Sequence, residues 1–92
     1  MKLSVIIVSY NCKVYLDYCI QSVIYALKNF HGEVIVIDNN STDNTKDFIR
    51  SKGYNIKFIE SKINLGFSKA NNQAVKSAKG EYLFFLNPWQ YP

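Results

Sequence analysis

Two β-branched runs, Val5-Ile6-Ile7-Val8 and Val34-Ile35-Val36-Ile37, constrain this 92-residue chain more than any other feature. Each is apolar at consecutive positions, so the strand it forms needs cover on both faces. Strands of that kind belong to parallel sheets, and parallel neighbours require a crossover between them. The sequence between the two runs has that character. Leu16, Ile20, Val23, Leu27 and Phe30 recur at steps of three and four, which predicts a helix over 14–30 with one apolar stripe. Gly32, after His31, suits the position just past the helix end.

The pattern then repeats. After Ile37 comes Asp38-Asn39-Asn40-Ser41-Thr42-Asp43, rich in residues that cap helices, and a short helix over 43–52 closed by Gly53. Ile56-Lys57-Phe58-Ile59 reads as a third strand. Phe67, Ala70, Ala74, Val75 and Ala78 form another helical stripe ending at Gly80, and 81–86 reads as a fourth strand stopped by Pro88. The expected fold is α/β and Rossmann-like, β-α-β-α-β-α-β with a four-stranded, mainly parallel sheet. No linker or repeat divides residues 1–92, so a single domain is expected.

Composition removes several function classes. Apolar residues make up 48% of the chain, with 4 Gly and 2 Pro, which excludes a disordered or collagen-like chain. The net charge of +4 comes from 11 Lys and Arg against 7 Asp and Glu, but the basic residues are scattered. A dedicated nucleic-acid surface is not expected, while attraction to anionic phosphates or an anionic membrane surface stays open. Cys12 and Cys19 lie seven apart with no metal-ligand spacing, and read as reduced, partly buried thiols. The apolar run at the N-terminus stops at Ser9-Tyr10-Asn11, short of a secretion signal, and no stretch approaches a membrane span. The expected location is cytoplasmic.

Ligands of open α/β sheets bind outside the carboxyl ends of the strands. Here those ends carry Ser9-Tyr10-Asn11, Asp38-Asn39-Asn40 and Asn87. Ser41, Thr42 and Asp43 have a plainer use as caps, whereas Asp38 and Asn39 directly follow a buried strand and are expected to face the ligand crevice. The glycine fingerprints of dinucleotide and P-loop sites are missing, as is the G-x-S-x-G elbow. His31, the single histidine, falls at a helix end far from the strand tips.

Four segments together resemble family 2 glycosyltransferases of the GT-A fold. They are Val5 through Asn11, Val36 through Asp43, Asn64-Leu65-Gly66-Phe67-Ser68-Lys69-Ala70-Asn71-Asn72, and Lys79 through Pro88, in the family's order and spacing. The Asp-Asn-Asn-Ser-Thr-Asp, Asn-Leu-Gly-Phe and Leu-Asn-Pro variants look most like the branch that includes rhamnosyltransferases. The resemblance implies a nucleotide diphosphate sugar donor, UDP-, dTDP- or GDP-linked, bound in this half of the fold. Val8, Ser9, Tyr10 and Asn11 would line base and ribose. Asn39 stands where the family's second acid contacts the base, with Asp38 beside it. Asn71 stands where the family often has an arginine near the donor phosphates, and Asn87 completes the set.

The resemblance also implies Mg²⁺ or Mn²⁺ on the diphosphate, held by acids after the fourth strand. Here that stretch is Asn87-Pro88-Trp89-Gln90, with Trp89 at the expected aspartate position, and an indole is no metal ligand. The family's acceptor-binding half and catalytic base would lie beyond Pro92. The expectation is therefore a donor-binding half, truncated at the metal motif, that binds nucleotide without transfer as an isolated chain. It leaves open a homo-oligomer, association with the missing half, and peripheral contact with the inner face of the membrane. Two other readings stay open: a degenerate, non-catalytic nucleotide-binding or interaction module with Trp89 and Tyr91 as a docking tail, and an unrelated flavodoxin-like module.

Overall fold

The computed structural model describes residues 2–88. The elements alternate as expected: β1 (Leu3–Ser9), α1 (Lys13–Ala26), β2 (Gly32–Asp38), α2 (Thr45–Arg50), β3 (Lys57–Glu60), α3 (Gly66–Val75) and β4 (Tyr82–Leu86). They build one four-stranded sheet in the order β3-β2-β1-β4, and every pairing is parallel. The predictions about Trp89 and Tyr91 fall outside the described residues.

The β-branched runs form the two central strands, and the pleat sorts them into two cores. Val5, Ile7, Val34 and Val36 face α1 and α2, where they pack with Leu16, Cys19, Ile20, Val23 and Ile49. Ile6, Val8, Ile35 and Ile37 face α3 and meet Ala70 and Ala74. The small alanines let α3 lie close against the sheet, and each branched side chain removed from water contributes about 1.5–3 kcal/mol. Burial on both faces is why these strands carry no alternation.

β4 differs. It pairs only with β1, and Tyr82, Leu83, Phe84 and Phe85 are 41–59% exposed. The helices pack chiefly on β1 and β2, so this edge strand is open on both faces. On one of them, Phe84 and Leu86 face Leu3, Val5, Val23 and Leu27 across an apolar groove of about 360 Å³.

Several expected boundaries shift. α1 ends at Ala26, and Phe30 is exposed. Leu27 already leaves the helix toward the core, and the backbone bonds of Lys28 and Phe30 then close tight turns. Gly32 does not cap α1; it opens β2, where a Cβ would lie 3.0 Å from Leu3 O. Phe67 is 44% exposed, so the buried stripe of α3 begins at Ala70. Gly53 does follow α2 in a left-handed conformation, φ +67°. Gly80 serves close approach instead: its N–H donates to Ser4 Oγ at 2.8 Å, and a Cβ there would stand 2.6 Å from Ser4 N.

The N-terminal edge of the sheet is held by one half-buried carboxylate. Glu33 accepts from Ser4 Oγ at 2.7 Å and from Lys79 N at 2.6 Å, and Lys57 Nζ lies 3.3 Å away. Burial pushes its acidity the other way, yet these donors hold Glu33 below its ordinary value of 4.5. β1, β2, β3 and the turn into β4 thus meet at one group.

Candidate functional site at the carboxyl edge of the sheet

The strand order places the reversal beside β1. The chain runs outward from β1 to β2 to β3, then returns through α3 to β4 on the other side of β1. Ligands of such sheets sit outside the carboxyl ends, at the reversal. Ser9 is in register with Asp38, and Leu86 with Ile7, so the polar residues after β1, β2 and β4 emerge along one edge.

The β1 and β2 loops are joined there by reciprocal bonds. Asn11 N donates to Ser41 Oγ at 2.9 Å, and Asn11 Oδ1 accepts from Thr42 N at 2.7 Å. Asn11 has φ +49°, a left-handed conformation that asparagine tolerates better than most residues. Asp38 is buried at 3% exposure, and its carboxylate accepts from Ser41 N at 3.0 Å and Ser41 Oγ at 2.5 Å. Ser41 is therefore the pivot between the two loops.

Asn39 is equally buried, and its polar atoms turn to the loop before α3. Its Oδ1 accepts from Leu65 N at 2.7 Å, and its Nδ2 donates to Gly66 O at 3.2 Å. Asn39 N also donates to Ser9 O at 2.8 Å. The other residues singled out in the sequence occupy different depths. Val8 is core, packed toward α3, and Ser9 is fully buried with its Oγ 3.6 Å from Cys12 Sγ. Tyr10 is 44% exposed at the rim. Asn71 is 9% exposed on α3, and its Oδ1 is buried with no hydrogen-bond partner among the described residues. Asn87 is half-buried just past β4.

The capping residues act differently from the sequence expectation. Asn44, at φ +63°, holds the N-cap of α2 without a side-chain bond. Asp43 instead accepts from Lys13 N at 3.3 Å, which sets a carboxylate at the N-terminus of α1, thirty residues away in sequence. Thr45 Oγ1 also donates to Asp43. Sequence reasoning missed this role, and also missed Asn64, whose Oδ1 accepts from Gly66 N at 2.8 Å. The exposed asparagines in the two loops were the available signal.

Beyond the ends of β2 and β3 lies a polar depression of about 360 Å³ between Asp38, Ser41, Thr42, Lys46 and Glu60. Lys46 Nζ pairs with Glu60 at 3.0 Å and, through that bond above all, holds Glu60 below 4.5. Among the described residues, no three His, Cys, Asp or Glu side chains gather to hold a metal ion. Asp38 is committed to Ser41, and Asn87 offers a neutral amide, a weak donor for a hard divalent cation. The described residues therefore do not by themselves fit the divalent ion that the resemblance implies. No helix among them is long and apolar enough to cross a membrane.

Comparison with known proteins agrees with this architecture. The chain is 38% identical over 90 residues to the UDP-Glc:alpha-D-GlcNAc-diphosphoundecaprenol beta-1,3-glucosyltransferase WfaP of Escherichia coli, which covers 96% of this chain and 35% of that protein. It superposes on S. aureus TarS 1-349 in complex with UDP-GlcNAc with a TM-score of 0.82 at 33% identity, over 96% of this chain and 26% of the other. Mannosyltransferase PcManGT from Pyrobaculum calidifontis, in complex with GDP-Man and Mn2+, shares the fold with a TM-score of 0.82 at 23% identity, over 95% of this chain and 27% of that one. The chain spans about a third or less of the length of these relatives. The sequence pattern of glycosyl transferase family 2 matches residues 4–88, nearly the whole of the described fold, and the chain belongs to that family.

Proposed function

We propose that this chain is the donor-binding half of a glycosyltransferase, which holds a nucleotide diphosphate sugar for transfer of the sugar to an acceptor hydroxyl. The observation that carries this reading is the joining of the β1 and β2 loops through Asn11, Ser41 and Thr42 at the carboxyl edge, beside the strand reversal. Ser9, Tyr10 and Asn11 would meet base and ribose over the floor made by Val8, with Asp38 and Asn39 behind them. Asn71 and Asn87 would lie toward the diphosphate. The S. aureus relative solved with UDP-GlcNAc supports a uridine nucleotide.

Transfer needs a base for the acceptor hydroxyl and a counter-charge for the leaving diphosphate. In this family's manner a divalent ion would supply the counter-charge, and the Mn2+ in the Pyrobaculum calidifontis mannosyltransferase complex supports that expectation for the complete site. The described residues supply binding and orientation. The isolated chain is accordingly expected to bind nucleotide and not to transfer sugar.

The finer reading is a rhamnosyltransferase-like donor preference, supported by Asp38 through Asp43 and Asn64 through Phe67. A cytoplasmic location, at the inner face of the membrane, is supported by the donor class and by the diphosphoundecaprenol in the E. coli relative's name. Calorimetric titration with UDP, dTDP and GDP, with and without Mn²⁺, tests these points together. Saturable binding of one nucleotide supports the reading, dTDP preference supports the rhamnosyl branch, and no binding to any of them defeats it.

A second reading, a non-catalytic interaction module, is favoured by one observation: both faces of β4 are open. Sedimentation at several concentrations separates the two. Self-association without nucleotide binding supports the module, and a monomer that binds nucleotide opposes it.

A further inference from the structure

Asn39 joins three segments that are distant in sequence. Its N–H donates to Ser9 O at the end of β1, at 2.8 Å. Its carboxamide then spans the entry to α3, accepting from Leu65 N at 2.7 Å and donating to Gly66 O at 3.2 Å. The amide orientation is dictated by these partners. Turned over, Nδ2 would face an N–H and Oδ1 would face a carbonyl oxygen. Gly66 has φ +77°, and Asn64 Oδ1 accepts its N–H at 2.8 Å, so the backbone at 64–66 has one defined course.

A carboxylate cannot replace this amide. It accepts only, and one of its oxygens would be set against the Gly66 carbonyl in a site that is 3% exposed. A protonated carboxyl can replace it, because it offers one donor and one acceptor. The resemblance assigns an acid to this position as a contact for the base, whereas the hydrogen bonds of Asn39 run to the protein's own backbone.

We propose that Asn39 is a positioning residue: it pins the 64–66 loop and the start of α3, and through them Asn71, to the β1 and β2 loops, rather than reading the nucleotide base. This rests on the nucleotide-site reading above. The charged groups on the surrounding segments are Lys13 after β1, Asp38 on β2, Glu60 on β3, Lys62 before α3 and Lys69 on α3. The wild-type chain controls for their titration.

The test compares wild type, Asn39→Asp and Asn39→Ala in UDP binding by calorimetry at about pH 8 and about pH 5, on either side of an aspartate that burial and the neighbouring Asp38 would raise. Asn39→Asp is expected to bind at least about tenfold more weakly than wild type at the higher pH and to recover to within about threefold at the lower. Asn39→Ala is expected to stay weak at both. An aspartate variant that binds UDP at the higher pH as tightly as wild type overturns the proposal, as does an alanine variant that matches wild type.

Hydrogen exchange at the Leu65 amide reads the latch without any nucleotide. Protection is expected in wild type and lost in Asn39→Ala, which leaves the Leu65 N–H without its acceptor. Equal protection in all three chains overturns the latch. If the chains show this exchange pattern and wild type binds no nucleotide, the nucleotide-site reading has failed and the latch stands.

Discussion

Asn11 and Thr42 are joined at 2.7 Å, carboxamide oxygen to backbone N–H, across 31 residues of sequence. The bond fastens the loop that ends β1 to the loop that ends β2, and the neighbouring bond from Asn11 N to Ser41 Oγ makes the attachment two-sided. The carboxyl edge of the sheet is thereby a prearranged surface, which lowers the ordering cost of binding a ligand.

Removing that side chain should weaken ligand binding more than it weakens the fold. Asn11→Gly keeps the left-handed backbone accessible and deletes only the two bonds from Thr42, N–H and Oγ1, to the carboxamide oxygen. UDP affinity measured by calorimetry is expected to fall about tenfold, with unfolding free energy lower by about 1 kcal/mol. Unchanged affinity would show that the two loops bind independently.

Gly80→Ala should destabilise the chain. The added Cβ meets Ser4 N and Oγ at 2.6 Å and Leu3 C at 2.7 Å, and backbone atoms in a paired strand cannot step aside. The expected loss is about 1–3 kcal/mol by denaturant unfolding. Ala at Gly53 is also expected to cost stability, for a different reason, since that position has φ +67° and open space around it.

Glu33 should make stability depend on pH in the acid range. Its folded-state acidity lies below the ordinary 4.5, because the donors from Lys79, Ser4 and Lys57 outweigh burial. The contribution is therefore fully present above about pH 5 and is lost as pH falls through the lowered folded value. In Glu33→Gln the difference between unfolding midpoints at neutral and acid pH should shrink. An unchanged acid profile would show that other carboxylates set it.

The two cysteines should react at different rates. Burial first, and Cys12 second, push Cys19 up to about 11, so it holds almost no thiolate at neutral pH. Cys12 is half-buried at the head of α1. Mass spectrometry after alkylation at neutral pH should show one label, on Cys12, and a second only after denaturation. Early labelling of Cys19 would contradict its burial.

The parallel sheet was legible because Val5–Val8 and Val34–Ile37 cannot be solvated on either face. The end of α1 was not. Phe30 lies on the helical period, but the backbone turns after Leu27, and Gly32 sits in β2 where a Cβ would lie 3.0 Å from Leu3 O. The gathering of polar residues at the carboxyl edge was also legible, since they directly follow buried strands. The work of each polar residue was not, because its partner lies 26–31 residues away: Asn39 with Leu65, Asn11 with Thr42, Asp43 with Lys13. Local spacing carries no trace of such pairs, which is why Asp43 read as a cap for the helix beside it when it serves the one before.

The most direct test of the central claim is a titration of the ¹⁵N-labelled chain with UDP, followed residue by residue by NMR. The account predicts saturable shifts concentrated at Ser9 to Asn11, Asp38 to Thr42 and Asn71, with Glu33, Tyr54 and Gly80 at the far edge unmoved. No saturable shifts, or shifts concentrated on the open face of β4, would contradict it.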